Sequence, residues 1–360
     1  MQVVWGSFPA GSLSATAVGG NEPVTAAIDH AGGPGALEFE GLQPDTNYRV
    51  TVEVAGVRRT CAARTLAPPP GPELYRFATI SDMHLGSDHF GASKRLRDRS
   101  DHPTPFAYRS ASNGISAAVA WGAEHLIIKG DAAHHGRKAD FELLGELVDQ
   151  HADVPMSLLP GNHDTDLKEV SLPASVGTRA LRYEPAVSHL DVPGLRIVLG
   201  NTTITGSGPG TLRDIGDELL TAAAESPTPG VLLAVHQQLQ KHDPIRYWPP
   251  GISSSESDPF LDRLHQVRPG AVITSGHTHR NRSRHHQSVL ITEVASTHHW
   301  PGVWAGYAVH EGGIRQVVRR IVDADIIEWH EYSKNAVGSL WGRYAPGPQE
   351  QRCLVHRWPS

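Results

Sequence analysis

Five short apolar runs in this chain end in side chains that can bind metal ions or move protons. Tyr75–Ile80 runs into Ser81-Asp82-Met83-His84, His125–Lys129 into Gly130-Asp131, and Val154–Leu159 into Pro160-Gly161-Asn162-His163-Asp164. Val231–Val235 ends at His236, and Ala271–Ser275 at Gly276-His277-Thr278-His279. Short apolar runs bounded by turn residues read as buried strands of a parallel-type sheet. Such sheets collect ligands at the carboxyl ends of their strands. Asp82 and His84 are two residues apart, as are His277 and His279, and in an extended segment residues at that spacing point the same way. Each pair can therefore approach a cation from one side. Carboxylate, imidazole and amide donors without thiolate suit Zn, Fe, Mn or Co.

Taken in order, Asp82/His84, Gly130-Asp131, Gly161-Asn162-His163-Asp164, His236 and Gly276-His277-Thr278-His279 resemble the calcineurin-like metallophosphoesterase superfamily, from about Tyr75 to His310. The resemblance implies an α/β fold of two stacked mixed β-sheets flanked by helices, and a centre of two divalent or trivalent metal ions. One ion would take Asp82, His84, Asp131 and His279; the other would take Asp131, Asn162, His236 and His277. Asp131 bridges, because a carboxylate alone offers two anionic oxygens to two cations. Paired metals ~3.5–4 Å apart clamp attacking and leaving oxygens and lower the pKa of bound water, so a bridging hydroxide would hydrolyse a phosphoester. His163 is not a ligand in this pattern. It faces the leaving oxygen as general acid, with Asp164 holding its ring; an unperturbed imidazole of pKa ~6.5 is a poor acid at neutral pH, and a nearby carboxylate raises it. The Asn162 ion has only the shared carboxylate, so it is the more cationic and the weaker-held of the two.

Departures narrow the relationship. Purple acid phosphatases carry a tyrosine ligand three residues after the bridging aspartate; His134 stands there, so their charge-transfer colour is not expected. The G-D-x-V-D-R-G and R-G-N-H-E stretches of Ser/Thr protein phosphatases are absent. What remains is similar to the bacterial phosphodiesterase and phosphatase branch, which includes cyclic-nucleotide and glycerophosphodiester hydrolases. Phosphodiester hydrolysis is favoured, since no arginine clamp for a dianionic monoester is evident. A phosphomonoesterase is the alternative, and a glycan- or protein-binding module with a structural metal domain is the alternative of another class. Intact Asn162, His163 and His236 argue against the last.

Other residues carry two readings each. His134 and His135 are loop histidines or take a direct role; His298 and His299 either line the site or pack. Tyr247 and Trp248 either cover a base or apolar leaving group or pack at the surface. Lys94, Arg95, Arg97 and Arg99, like Arg280, Arg282 and Arg284, read as solvated charge or as phosphate-steering patches.

The elements that must position these residues alternate from Leu74 onward. Helices are expected over Ala107–Trp121, Lys138–Gln150, Leu212–Ala224 and Phe260–Val267, and strands over Leu126–Ile128, Met156–Leu159, Leu195–Leu199, Val231–Val235 and Ala271–Thr274. Val289–Val294, Ala305–His310 and Gln316–Ile321 read as strands extending a second sheet. Residues 165–194 read as irregular, and His236–Pro259 as a long loop, functional or disordered. Residues 1–66 show short alternating stretches between Gly, Pro and Asn, which read as a small all-β sandwich. Leu42-Gln43-Pro44-Asp45-Thr46-Asn47-Tyr48 is similar to the L-x-P-x-T-x-Y stretch of fibronectin type III domains, which makes Tyr48 and Trp5 core candidates. Residues 67–73 form a proline-rich linker, stiff by its polyproline II preference, and 74–360 form the catalytic domain.

The chain has 360 residues and a formal charge of −6, without the basic excess of a nucleic-acid grip. The expected partner is a small-molecule phosphoester, with no nucleic acid and no membrane. No run approaches the ~18 apolar residues of a membrane span. Met1–Gly6 lacks a charged n-region and a long apolar core, so no secretory signal is read and the cytoplasm is expected. Cys61 and Cys353, the only two cysteines, read as ordinary thiols.

Overall fold

A computed structural model describes residues 1–91, 96–166, 181–184, 186–241 and 248–359. Six strands come first: β1 (Gln2–Phe8), β2 (Gly11–Val18), β3 (Val24–His30), β4 (Gly33–Glu38), β5 (Asn47–Val54) and β6 (Val57–Arg64). They form a two-stranded sheet, β1-β4, and a four-stranded antiparallel sheet, β3-β2-β5-β6. Alternation sets the packing. Leu13, Ala15 and Ala17 of β2 and Tyr48, Val50 and Val52 of β5 point inward onto Trp5, Phe8 and Leu37. The Gln43 N–H donates to Tyr48 Oη across 2.9 Å, tying the strand start to the preceding turn.

The rest of the chain builds two mixed sheets. The first contains β7 (Glu73–Ile80), β10 (Leu126–Lys129), β11 (Met156–Leu159), β12 (Leu181–Tyr183), β19 (Val303–His310), β20 (Gly313–Arg320) and β21 (Leu354–Arg357), in the order β12-β11-β10-β7-β19-β20-β21. The second contains β13 (Val187–Val192), β14 (Leu195–Gly200), β15 (Gly230–Val235), β16 (Val272–Ser275), β17 (Arg282–His286) and β18 (Val289–Glu293), in the order β13-β14-β15-β16-β18-β17. A small hairpin, β8 (His89–Phe90) with β9 (Leu96–Arg97), lies between β7 and the first helix. Strand alternation separates three layers of core. Phe77, Ile127 and Leu159 meet Leu195, Ile197, Leu232 and Val272 between the sheets. Ala78, Ile80, Leu126 and Ile128 face the helices Phe106–Ala120 and Lys138–Gln150. Val198, Leu233 and Ile273 face Gly216–Ala224 and Ser254–Val267. This is the two-sheet α/β architecture expected, preceded by all-β strands.

Several boundaries and one assignment differ. β19 and β20 join the first sheet, not the second, because β19 pairs antiparallel with β7 (Ala305↔Thr79, Tyr307↔Phe77) and the Phe77 and Tyr307 rings stack at 4.7 Å. Within 165–194 the described residues include β12 and β13. The helix expected from Leu212 begins at Gly216, and that expected from Phe260 begins at Ser254, with Pro259 in its second turn. The proline-rich stretch is docked on the following sheet: Gly312 and Glu311 N–H donate to Pro70 and Pro72 carbonyls at 2.9 and 3.2 Å. The first strands are clamped to β20, where Gln2 exchanges two hydrogen bonds with the Arg320 backbone and Glu38 pairs with Arg319 at 2.7 Å.

Tyr48→Phe removes one hydrogen-bond acceptor without changing the packed ring, so it is expected to cost about 1 kcal/mol in chemical denaturation.

Candidate active site

The carboxyl ends of β7, β10, β11, β15 and β16 meet at one edge, and each delivers its motif there. Parallel pairing aligns these ends: Leu126 pairs with both Ala78 and Met156, and Leu232 with Val272. Two donor groups result. Asp82, His84, Asp131 and His279 offer ligand atoms within 4.8 Å of one another, as do Asp131, His236 and His277. Asp131 belongs to both. Its Oδ2 lies 3.8 Å from His84 Nε2, and its Oδ1 lies 3.3 Å from His236 Nε2. Asn162 Oδ1 is 3.1 Å from His236 Nε2, which places the amide with the second group. His279 Nε2 is 3.2 Å from both Asp82 Oδ1 and His84 Nε2. Lone-pair atoms of oxygen and nitrogen thus converge with no Lys or Arg among the described residues of the two groups, which is the donor chemistry a metal ion fits.

The backbone achieves this differently from an extended strand. Asp82, His84, Asp131, His277 and His279 have φ of 54°, 48°, 49°, 65° and 52°. The i, i+2 pairs converge through left-handed turns, so the same-face argument for extended segments does not describe them. Two glycines make room: a Cβ at Gly161 would collide with the Asp131 carboxylate, and one at Gly130 would meet Gly161 N and His236 Nδ1 at 2.6 Å.

A second layer orients the donors. His236 Nδ1 is held by the Lys129 carbonyl at 2.7 Å, and His279 Nδ1 lies 3.2 Å from His299 Nε2, which leaves the Nε2 atoms facing inward. For His277 it is Nε2 that meets a carbonyl, that of Pro250 at 3.1 Å. Ser81 Oγ donates to Asp82 Oδ2 at 2.6 Å, and Ser296 Oγ to the Asp82 carbonyl at 2.7 Å. Sequence reasoning missed Lys129, Ser81, Ser296 and the Pro250 carbonyl. Lys129 left a signal, a charge inside a buried strand. Its ammonium donates to Thr274 Oγ1 at 3.1 Å and to the Ser275 carbonyl at 2.7 Å, joining β10 to β16. Burial lowers its pKa to about 7, against the opposing charge of Asp82.

His163 and Asp164 separate in role. Asp164 does not hold the His163 ring. Its buried carboxylate accepts from the N–H groups of Ala133 (2.7 Å), Gly161 (2.8 Å) and Ala132 (3.3 Å), lacing the loop after β10 to the loop after β11. Burial, and then the charge of Asp131, push its pKa up to about 7. The His163 ring is held instead at Nδ1 by the His134 carbonyl at 2.7 Å, with Asp166 Oδ2 3.7 Å away. Burial works against protonation of His163, but Asp131, the His134 carbonyl and Asp166 outweigh it and raise its pKa. With 32% of its side chain exposed, against 18% for His279 and 0–5% for Asp82, His84, Asp131 and His236, it is the most accessible of these side chains.

The remaining candidates also find places. His134 Nδ1 approaches His84 Nδ1 at 3.4 Å, while His135 lies outward, 3.9 Å from Asp166. His298 and His299 are buried behind His279 and touch each other through their Nδ1 atoms at 3.0 Å. Trp248 is 73% exposed, and no described residue of the centre contacts its ring. Arg280 is buried and paired with Glu293 at 3.1 Å, Arg284 reaches the Leu239 carbonyl, and Arg97 and Arg99 engage Asp88 and the Tyr332 hydroxyl. Lys94, Arg95 and Tyr247 lie outside the described residues. Among the described residues no helix is long and apolar enough to cross a membrane.

Residues 75–281 match the family model described as calcineurin-like phosphoesterase. A probable cyclic nucleotide phosphodiesterase of Psychrobacter arcticus is 25% identical over 224 residues, covering 61% of this chain and 78% of that one. Among solved structures, a purple acid phosphatase from yellow lupin (Lupinus luteus) seeds aligns over 89% of this chain and 69% of its own, with a TM-score of 0.49 and 11% identity. GAP50, the anchor in the inner membrane complex of Plasmodium, aligns over 71% of this chain and 87% of its own, with a TM-score of 0.49 and 12% identity.

Asp164→Ala leaves three backbone N–H groups facing a gap, so it is expected to destabilise the protein by roughly 2–4 kcal/mol. It should lower metal content and depress turnover of activated and unactivated substrates by the same factor. Metal analysis, denaturation and paired kinetics check this; an intact fold and metal content with a loss confined to poor leaving groups would return Asp164 to the role of ring holder.

Proposed function

Since this chain belongs to the calcineurin-like phosphoesterase family and is a metal-dependent phosphoesterase, we propose that it hydrolyses phosphodiesters at a two-metal centre with His163 as general acid. The observation that carries this is Asp131, whose two oxygens face two separate donor groups. Asp82, His84 and His279 would hold one ion with Asp131, and Asn162, His236 and His277 the other. Bound there, the ions would supply Lewis acidity and an activated water.

The chain's own residues supply the rest. With Nδ1 fixed on the His134 carbonyl, His163 presents Nε2 outward, and the charge of Asp131 favours the cation that can give up a proton. The proton passes from Nε2 to the departing oxygen as its bond to phosphorus breaks. Preference for a diester is supported by Arg280, the arginine nearest the histidine motif, whose guanidinium is committed to Glu293 and Tyr344. The Psychrobacter arcticus relative, a probable cyclic nucleotide phosphodiesterase, points the same way. The chain divides in this reading into 1–66, a linker at 67–73 and 74–360. The Tyr48 hydroxyl, meeting a backbone group five residues upstream as in the tyrosine corner of such sandwiches, supports a fibronectin III-like form for the first part.

His163→Asn is expected to keep both metals and to lose about 10²–10⁴ in kcat/KM on a diester with an alkyl or ribose leaving group. The loss should be far smaller with a nitrophenyl diester, because nitrophenolate leaves unprotonated. Equal losses on both would make His163 a ligand of the substrate phosphate instead. Stepwise chelation should remove one metal equivalent first and end activity with it, since the Asn162 group has only the shared carboxylate. Joint loss of both metals, without a one-metal species, contradicts that order.

A further inference from the structure

Away from the catalytic edge, a cavity of about 510 Å³ lies in the seam between the first strands and β20. That volume is within the roughly 300–1,000 Å³ of small-molecule sites. Arg64, Arg315, Arg319, Arg320 and Arg352 line it, and no Asp or Glu among the described residues does. Four of these guanidiniums have acid partners set behind the lining: Asp45, Glu73, Glu38 and Glu331, at 2.6, 3.5, 2.7 and 2.8 Å. The Arg352 side chain has no hydrogen bond or ion pair among the described residues.

The pairing is also incomplete atom by atom. Arg315 Nε, Arg320 Nη2 and Arg352 Nε are buried and have no hydrogen-bond partner. Arg320 as a whole is 93% buried, being only 7% exposed. Buried N–H groups are almost always satisfied in folded proteins, so three unsatisfied ones around one cavity point to a missing acceptor. Guanidinium forks match phosphate oxygens and are only weakly hydrated, which suits an enclosed anion site. The other side of the cavity is apolar, formed by Val3, Phe39, Leu42, Trp121 and Val318. The space is too large and too apolar for inorganic phosphate alone.

We propose that this seam binds a small organic phosphate, a phosphomonoester with an apolar or aromatic body, through Arg352, Arg315 and Arg320. The site is distinct from the catalytic centre and does not rest on the diesterase reading. It sits where Gln2 and Glu38 attach the first strands to β20, so its ligand would bridge the two parts of the chain.

Both cysteines of the chain, Cys61 and Cys353, line this cavity, which makes their reactivity a local probe. The full-length, metal-loaded protein is treated with N-ethylmaleimide, and modification of each thiol is followed by mass spectrometry. Adenosine 5′-monophosphate is the probe, with adenosine and inorganic phosphate as separate arms. At about ten times its Kd the nucleotide leaves about a tenth of the molecules open, so both thiols should react about tenfold more slowly. Adenosine and phosphate at the same concentration should change the rates less than about twofold. Arg352→Gln and Arg315→Gln should each raise the nucleotide concentration needed by about tenfold, a loss of about 1.4 kcal/mol. Both variants should keep the unliganded labelling rate and the phosphoesterase activity. Unchanged labelling with the nucleotide overturns the proposal, as does equal protection by adenosine or by inorganic phosphate. So does a nucleotide concentration that both arginine variants leave unaltered.

Discussion

The site depends on one buried carboxylate. Asp131 is 1% exposed and its carboxylate receives a backbone hydrogen bond from His163 N at 2.9 Å, while its two oxygens look toward opposite sets of imidazoles. Removing a carboxylate from water is costly unless cations or several donors compensate. The surroundings meet that cost in part. Burial alone would raise its pKa, but His236 and then His163 beside it bring it well below the usual carboxylate range. In the absence of other cations, the protein can balance Asp131 only by protonating imidazoles that would otherwise be ligands. Metal ions held there would remove that competition, because neutral imidazoles and an ionised carboxylate would then serve the same charge.

Holding Asp131 in place dictates the surrounding backbone. It leaves β10 through a glycine at φ 84° and itself takes φ 49°. Left-handed conformations cost non-glycine residues of order 1–3 kcal/mol each, and Asp82, His84, His277 and His279 adopt them too. Cross-loop hydrogen bonds keep these turns in register. Asp164 collects amides from the two loops after β10 and β11, and the Asp82 carboxylate takes the His277 N–H at 3.0 Å, so residues from both sheets fix each other's turns. Lys129 adds a direct tie between the sheets beneath them. The centre is therefore braced from its backbone outward, with His163 its more exposed imidazole and His279 the next.

Much of this was legible from residue order. Buried strands ending in polar residues announced which edge would carry the chemistry, since apolar runs of four to six residues bounded by turns have few other solutions in an α/β chain. The adjacent pair His163-Asp164 was misleading for a physical reason. Neighbours in sequence suggest a ring and its carboxylate partner, but the turn sends Asp164 back toward the amides of Ala132 and Ala133 and leaves the ring to a carbonyl 29 residues away in sequence, that of His134. The sheet membership of β19 was not legible either, because pairing with β7 across more than two hundred residues leaves no local pattern. Pro259 hid the first turns of Ser254–Val267, for a proline ordinarily marks a break. The short helices Ile327–Ser333 and Leu340–Tyr344 and the strand β21 were passed over because each is too short to show a period.

The insertion of β19 beside β7 explains how the C-terminal third of the chain serves the centre. Without it, β7 would be an edge strand, and the backbone leading to Asp82 would face solvent on one side. β19 covers that edge over Thr79–Tyr75, and the loop before it brings Ser296 onto the Asp82 carbonyl and His299 behind His279. On its other side β19 pairs along its full length with β20, the strand that carries Arg315, Arg319 and Arg320 and receives the Gln2 clamp. Three consecutive strands thus run from the turn that holds Asp82 to the seam that holds the first strands. Backbone pairing fixes their spacing at about 4.7–4.9 Å per strand. The strand that leads to Asp82 and the strand that receives the Gln2 clamp are consequently parts of one continuous piece of sheet.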